Sequence, residues 1–379
     1  MNGKILKIIF VILFFGMILL PLAKTNLEPE KVSESENRKL AAPAKLYDEN
    51  GDFNTNFTSD FETWINDNIG FRSELVIQNA KMQYYMFHVL ANNTDMYLGP
   101  NGEINYATSA MLLDYQHNNY YSEDELKEIT AGYQKYKDYV EEKGAQFYYY
   151  QCWDKHSIYP EQFPDTVYQY GDLSKTDLVN QAILEDTDVC LISPKEELIA
   201  AKKDYQTYSV AGDPTHWTQR GAYIGYLKLM NTLNQYAEKP YKVLQEEDYD
   251  IATVDQGTTL FGGIHRIELL ENFQIKNPAA VLTNEKLTLY SEDQRHRFFT
   301  NDRVDNDTRL LIIGDSYFDS FLLDDLAESF HEVLIIWGDY LGDFQHVVDE
   351  YDADIVIVEA AERVDRSMVI ANGASNINP

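Results

Sequence analysis

Arg309-Leu310-Leu311-Ile312-Ile313-Gly314-Asp315-Ser316 is the stretch on which the reading of the fold turns. Four consecutive branched aliphatics stopped by Gly-Asp-Ser read as a short central strand of a parallel sheet, buried on both faces. Gly314 is expected to let the chain turn sharply at the strand's end. Asp315 or Ser316 is then placed to cap a helix spanning residues 319–330. Ser316 would stand at the carboxyl edge of the sheet and at a helix N-terminus. Open α/β sheets take ligands at that edge, and developing negative charge is favoured there. A hydroxyl so placed is a candidate nucleophile with its own N–H as an oxyanion donor. The same tripeptide also closes ordinary strand-to-helix turns, so the chemistry needs a base from elsewhere in the chain.

The surrounding composition suits such a sheet. The chain has 379 residues, 44% of them hydrophobic, enough for one large or two modest folded domains. The net charge is -31, from 62 acidic against 31 basic side chains. That sign repels nucleic acid, and no basic stripe offsets it. The 8 histidines show no His-x-x-x-His or comparable cluster and no Gly-rich phosphate loop is present, so neither a metal nor a cofactor is expected. Cys152 and Cys190 form no C-x-x-C pair. Both fall in expected strands, where two buried thiols or one disulfide are the alternatives. The 28 tyrosines against 4 tryptophans fit half-buried packing, and also a surface that binds sugars or peptides.

Lys4 and Lys7 precede an apolar run from Ile8 to Leu20, followed by Pro21-Leu22-Ala23-Lys24. This is a basic region and an apolar core without an evident Ala-x-Ala cleavage site. Residues 1–24 are expected to form an uncleaved signal-anchor. The main domain is then extracytoplasmic, on a single-pass anchor in the cell membrane, or secreted if the anchor is cut. Residues 25–57 read as a polar linker. Residues 58–379 read as one α/β domain, with an inserted region of loops and antiparallel strands at about residues 238–300.

Within that domain, residues 97–104 look like a hairpin turning at Asn101-Gly102. Ser122-Glu123-Asp124-Glu125 is a capping box opening a helix to about Glu142, ended by Lys143-Gly144. Strands are expected over residues 145–151 and 187–192, with a helix between them. Strands return over 332–337 and 355–358. This βαβ rhythm implies a parallel sheet flanked by helices. Lys155 and Tyr159 follow a strand end, on the same edge as Ser316, and are candidates for substrate contact. Glu359, Glu362 and Arg363 lie just beyond the last strand and read as an ion-pair network bracing the site; Arg363 is also carried among the substrate-binding candidates.

The candidate base is in Gly212-Asp213-Pro214-Thr215-His216-Trp217, just before a further helix. An Asp three residues before a His can hold the imidazole through Nδ1 and leave Nε2 to take a hydroxyl proton. Taken singly, such a histidine is an ordinary hydrogen-bonding residue. Taken with a strand-end serine, it completes a catalytic set.

That set resembles the DHHW family of exported bacterial proteins, similar to the alginate O-acetylation proteins and, through them, to SGNH hydrolases. The resemblance runs over most of the chain. It is carried by Glu36-Asn37-Arg38, Asp67-Asn68-Ile69-Gly70-Phe71-Arg72, Lys155 through Tyr159-Pro160, Asp213 through Trp217 with Gly221-Ala222-Tyr223, Gly314-Asp315-Ser316-Tyr317, and Glu362-Arg363. The family's Asp-His-His-Trp is altered here. The acid's usual position holds Pro214, the first His is Thr215, and Asp213 lies one residue earlier, in the Asp-x-x-His spacing of SGNH hydrolases. The resemblance implies an SGNH-hydrolase-like α/β core, with Ser316 as nucleophile, His216 as base and Asp213 as the residue that orients it. Their chain order, Asp-His-Ser, is the reverse of ordinary SGNH enzymes. Gly338 and Tyr340, after the next strand, are the candidates for further oxyanion donors.

The function implied is an exported, serine-dependent O-acetyltransferase or acetylesterase acting on a surface polysaccharide or cell-wall glycan. Its partners would be the glycan, an acetyl donor, the membrane and an envelope acetylation machinery. The alternative is a non-catalytic glycan-binding envelope protein on the same fold.

Overall fold

The apolar run does form a strand, Arg309–Gly314, with Leu310 to Ile313 each fully buried. In this computed structural model, which describes residues 3–27, 32–33, 38–91 and 95–377, it is the middle of a seven-stranded sheet. The strands are β1 (Gln146–Cys152), β2 (Cys190–Ile192), β3 (Val281–Leu282), β4 (Arg297–Thr300), β5 (Arg309–Gly314), β6 (Glu332–Trp337) and β7 (Ile355–Ala361). Their order is β3-β4-β6-β5-β7-β1-β2. The five strands from β6 to β2 pair in parallel, and β4 and β3 add an antiparallel edge beside β6.

Alternation along each strand feeds two separate cores, because successive side chains leave opposite faces. Leu310, Ile312, Val333, Ile335, Ile355 and Ile357 pack on one face with the helix Gln219–Tyr236. Leu311, Ile313, Leu334, Ile336, Val356 and Val358 pack on the other with the helices Glu123–Glu142 and Lys175–Asp186. Burial on both faces is why these strands read as unbroken apolar runs. Ser122 and Glu125 form the expected reciprocal cap, and Gly144 takes a φ of 86° just past the helix end. The hairpin of Met96–Leu98 with Ile104–Tyr106 turns through Gly102 at φ 84°.

Three expectations change. The helix expected over 319–330 is two short pieces, Ser316–Asp319 and Leu323–Ala327. The region at 238–300, expected as inserted loops and antiparallel strands, also joins the central sheet. It supplies the antiparallel pair Tyr249–Asp255 and Leu269–Ile275, but also β3 and β4 of the central sheet. Gly314 has no positive φ. It is needed because a Cβ there would stand 2.7 Å from Glu359 Oε2. Cys152 and Cys190 are both free thiols, the first buried and the second half-buried.

The chain divides into two compact units, Met1–Asn92 with Leu260–Ile264, and Asn93–Thr259 with His265–Pro379. The sheet belongs to the second. In the first, the helix Gly3–Ala23 is long and apolar enough to cross a membrane, and none of its residues is buried. Helices Phe57–Asn68 and Arg72–Phe87 follow. The Asp67–Arg72 motif shapes the break between them. The Asn68 side chain is buried and donates to the Ala41 and Trp64 carbonyls, both at 2.9 Å. Asp67 accepts from the Ala41 N–H at 2.9 Å, and Phe71 takes a left-handed φ of 62°. Glu36 and Asn37 lie outside the described residues.

Candidate active site

The loop before helix Gln219–Tyr236 is tied down from both sides. Thr218 caps the helix, accepting from the Gly221 N–H at 3.2 Å, while its hydroxyl donates to the Gln206 carbonyl at 2.7 Å. Trp217 is buried, its ring centre 5.0 Å from that of Tyr317. The buried Glu268 carboxylate collects the Val210 and Ala211 N–H groups at 2.6 and 3.0 Å, together with the Ser209 hydroxyl. Gly212 then passes where a Cβ would meet the Gln256 carbonyl at 2.3 Å.

Asp213 follows. One carboxylate oxygen accepts from the Thr215 N–H at 2.8 Å, its hydroxyl at 2.6 Å and the His216 N–H at 3.3 Å. The other stands 2.8 Å from His216 Nδ1. An ionised carboxylate only accepts, so the proton sits on Nδ1 and Nε2 is left as an acceptor. Burial alone would raise the Asp213 carboxyl. The bond to His216 and the two from Thr215 overcome it and hold the group well below the usual carboxylate range. Asp213 therefore stays ionised wherever His216 is a base.

Ser316 enters from the end of β5. Asp315 braces the turn with both oxygens, accepting from Tyr317 N–H at 3.0 Å and Ala361 N–H at 3.2 Å. Its own N–H donates to Glu359 Oε2 at 2.7 Å. Ser316 is the first residue of its helical turn, so its N–H has no carbonyl within the turn to meet. Its Oγ stands 2.8 Å from His216 Nε2. Three side chains separated by up to 103 positions thus form a continuous Asp–His–Ser relay, at the carboxyl edge of the sheet. Such an arrangement can move a proton from Oγ to Nε2 as a bond forms at Oγ.

The fold is similar to that of Bacillus cereus PatB1. That structure superposes with a TM-score of 0.53 at 16% identity, covering 72% of this chain and 97% of PatB1. A DHHW family protein from Eubacterium siraeum aligns at 0.47 and 14% identity, over 75% of this chain and 97% of that one. The O-acetyltransferase domain of Pseudomonas putida AlgJ aligns at 0.49 and 15% identity, over 75% and 100%. No family model and no curated protein sequence matches the chain.

Arg363 reaches the relay, but not as part of a network with the glutamates beside it. Its Nη1 pairs with Asp154 and donates to the Thr215 carbonyl at 3.2 Å; Nη2 stands 3.4 Å from His216 Nε2. Its guanidinium also lies 5.1 Å from the Tyr317 ring centre. Burial works against this charge, and Asp154 more than restores it, so the guanidinium stays ionised. Glu359 lies inside β7, wholly buried, and burial pushes its carboxyl far up. It braces the turn by accepting the Asp315 N–H, and not as an ion-pair partner. Glu362 is buried as well, accepting from Ser157 Oγ at 2.8 Å and the Asp154 N–H at 3.1 Å.

Lys155 and Tyr159 stand in the wall behind the relay. Lys155 is buried, donates to the Ile104 carbonyl at 2.8 Å, and is drawn down to about 8 by burial. The Tyr159 hydroxyl meets Thr207 Oγ1 at 3.1 Å and accepts the Thr207 N–H at 3.1 Å. Protein groups engage the polar atoms of both. Tyr340 stacks 4.0 Å from Tyr290, and its hydroxyl stands 3.3 Å from Asp293. A Cβ on Gly338 would come within 2.5 Å of the Arg366 guanidinium, so that glycine serves packing. Asp154, Thr215 and Phe321 were not legible beforehand. Phe321 lies 5.6 Å from the His216 ring and also lines a cavity of about 420 Å³.

Proposed function

We propose that this protein is a serine-dependent acyl-ester enzyme that moves acetyl groups on an envelope glycan. The observation that carries it is the relay itself, with both of its hydrogen bonds at 2.8 Å. Ser316 Oγ adds to the acetyl carbonyl carbon while its proton passes to His216 Nε2. The Ser316 N–H lies where the oxyanion develops. Collapse breaks the ester bond to the donor, and His216 returns the proton to the departing oxygen. A glycan hydroxyl then attacks the acetyl-serine and gives its proton to His216; as the bond to Oγ breaks, His216 passes that proton to Ser316 and the acetylated sugar leaves. Water in place of the sugar gives hydrolysis by the same steps.

The likeness to PatB1 supports the fold on which this chemistry rests. The helix Gly3–Ala23 fits an anchor that would hold the sheet-bearing unit outside the cell.

The test is turnover of a chromogenic acetyl ester together with labelling by a serine-directed fluorophosphonate. The wild-type chain is expected to turn over and to be labelled at Ser316. Ser316→Ala should lose activity by about a thousandfold or more and lose the label. Activity retained by that variant would end the assignment. A wild-type chain that binds glycan but is neither active nor labelled would instead be a binding protein on this fold.

A further inference from the structure

The cavity beside the relay has a composition that the ester chemistry does not use. Phe321, which touches the His216 ring, forms part of one wall, and Ser320 lies one helical turn past Ser316. Tyr223, Tyr249 and Phe273 form an aromatic lining opposite, their rings 5.3 to 5.7 Å apart. Flat apolar rings of this kind pack against the C–H faces of a sugar. The volume of about 420 Å³ is within the range of small-molecule sites.

Three carboxylates, Asp324, Asp325 and Glu328, share this space. Among the described residues that line it there is no lysine, arginine or histidine. Arg220, stacked 4.8 Å from Phe273, is already paired with Glu246 and Glu271. Glu328 is buried and satisfied by the Ala279 and Ala280 N–H groups at 2.6 and 2.8 Å, which hold it as a fixed acceptor. Tyr249 is 4% exposed, and its hydroxyl is turned toward the Asp325 carboxyl. Burial, reinforced by the charges of Asp324 and Glu328, pushes the Asp325 carboxyl up to about 7. A negative cavity with an aromatic lining is complementary to a ring that carries a positive charge. It is hostile to a uronate, whose carboxylate would meet three others without a cation between them.

We infer that this cavity is the acceptor subsite for a glycan unit bearing a free ammonium, an amino sugar whose nitrogen is not acetylated. The inference rests on the ester-enzyme reading, and it specifies the acceptor for that site. The ammonium sits among Asp324, Asp325 and the Tyr249 hydroxyl, and the sugar's apolar face lies on Phe273 and Tyr223. The next ring then passes Phe321 and brings a hydroxyl toward Ser316.

The test is calorimetric binding at neutral pH and low salt, with the full-length Ser316→Ala chain in detergent, so that no turnover intervenes. The probes are tetramers of glucosamine, N-acetylglucosamine and guluronate. The glucosamine tetramer should bind about tenfold or more tighter than either of the others, and raised salt should shrink the gap. Asp324→Asn with Asp325→Asn should remove most of that preference, with thermal melting as the check on folding. Asp324→Asn alone, at an exposed side chain, should remove part of it. Equal binding of all three tetramers, a preference for guluronate, or a preference untouched by the substitutions would overturn the inference. Failure of the ester-enzyme reading is separate. It shows as activity that survives Ser316→Ala, whatever the binding order.

Discussion

At Asp213 a single carboxylate both closes a turn and orients a ring. Asp213→Asn keeps the size but presents an amide, which can meet Nδ1 with a donor and leave His216 in the wrong tautomer. Ester turnover should fall by about a hundredfold to ten-thousandfold with little change in melting temperature. Arg363→Ala should also act on stability. It leaves the Asp154 carboxylate buried, at 3% exposure, without its partner, at a cost of about 3 kcal/mol, read by denaturant unfolding. Asp325 makes a prediction with a definite sign. Its carboxyl is raised in the folded state to about 7, so ionising it opposes folding. That penalty is absent well below the usual carboxylate range and grows until pH passes about 7. Asp325→Asn should therefore raise the melting temperature at pH 8, raise it less at pH 5, and leave it unchanged near pH 3. Ser316, His216 and Asp213 were legible in the sequence because their signals are local: a strand end, a turn and a short spacing. The partner of Arg363 was not, because Asp154 lies 209 positions away and burial of a charge leaves no mark on the sequence near it. The same holds for Lys155, expected to contact substrate although its ammonium is buried and donates to the Ile104 carbonyl.

The elements with clean periodicity were read correctly from sequence, and those shaped by neighbours were not. β5, β6 and β7 announce themselves as apolar runs because both faces are covered. The Ser122 cap and Gly144 fix the ends of Glu123–Glu142 by local chemistry. The segment after Ser316 is apolar enough for one helix, yet it breaks near Phe321, where the chain bends past the His216 ring. β3 and β4 escaped notice as sheet strands because Val281–Leu282 is only two residues long and Arg297–Thr300 only four. β4 pairs with β6 and β3 with β4, so their place is decided by the neighbouring strand, not by their own pattern. Gly314 is the most sensitive point of this layer. Gly314→Ala would drive a methyl into the Glu359 carboxyl, which the Asp315 N–H holds in place. A loss of about 1–3 kcal/mol in unfolding free energy is expected, with a matching loss of fluorophosphonate labelling as the Ser316 turn shifts. Glu359→Ala combined with it should recover part of the stability.

Over the whole molecule, the charge of -31 sets the long-range field. It repels polyanions and draws cationic polymers, an effect that weakens as salt rises. The apolar helix Gly3–Ala23 should make the full-length chain sediment with membranes and stay there through high-salt washing, with detergent releasing it. A chain lacking residues 1–24 should appear in the soluble fraction. One feature of the site gives it an uneven fragility. Asp213 and His216 share a single turn, tied together by backbone as well as side chain, whereas Ser316 comes from a different stretch of the polypeptide. Thermal agitation carries the acid and the imidazole as one body, and the gap that opens first is the one to the hydroxyl. On warming, chemical reactivity at the serine should vanish while the downfield proton resonance of the imidazole, shielded from exchange by its carboxylate, persists to a higher temperature.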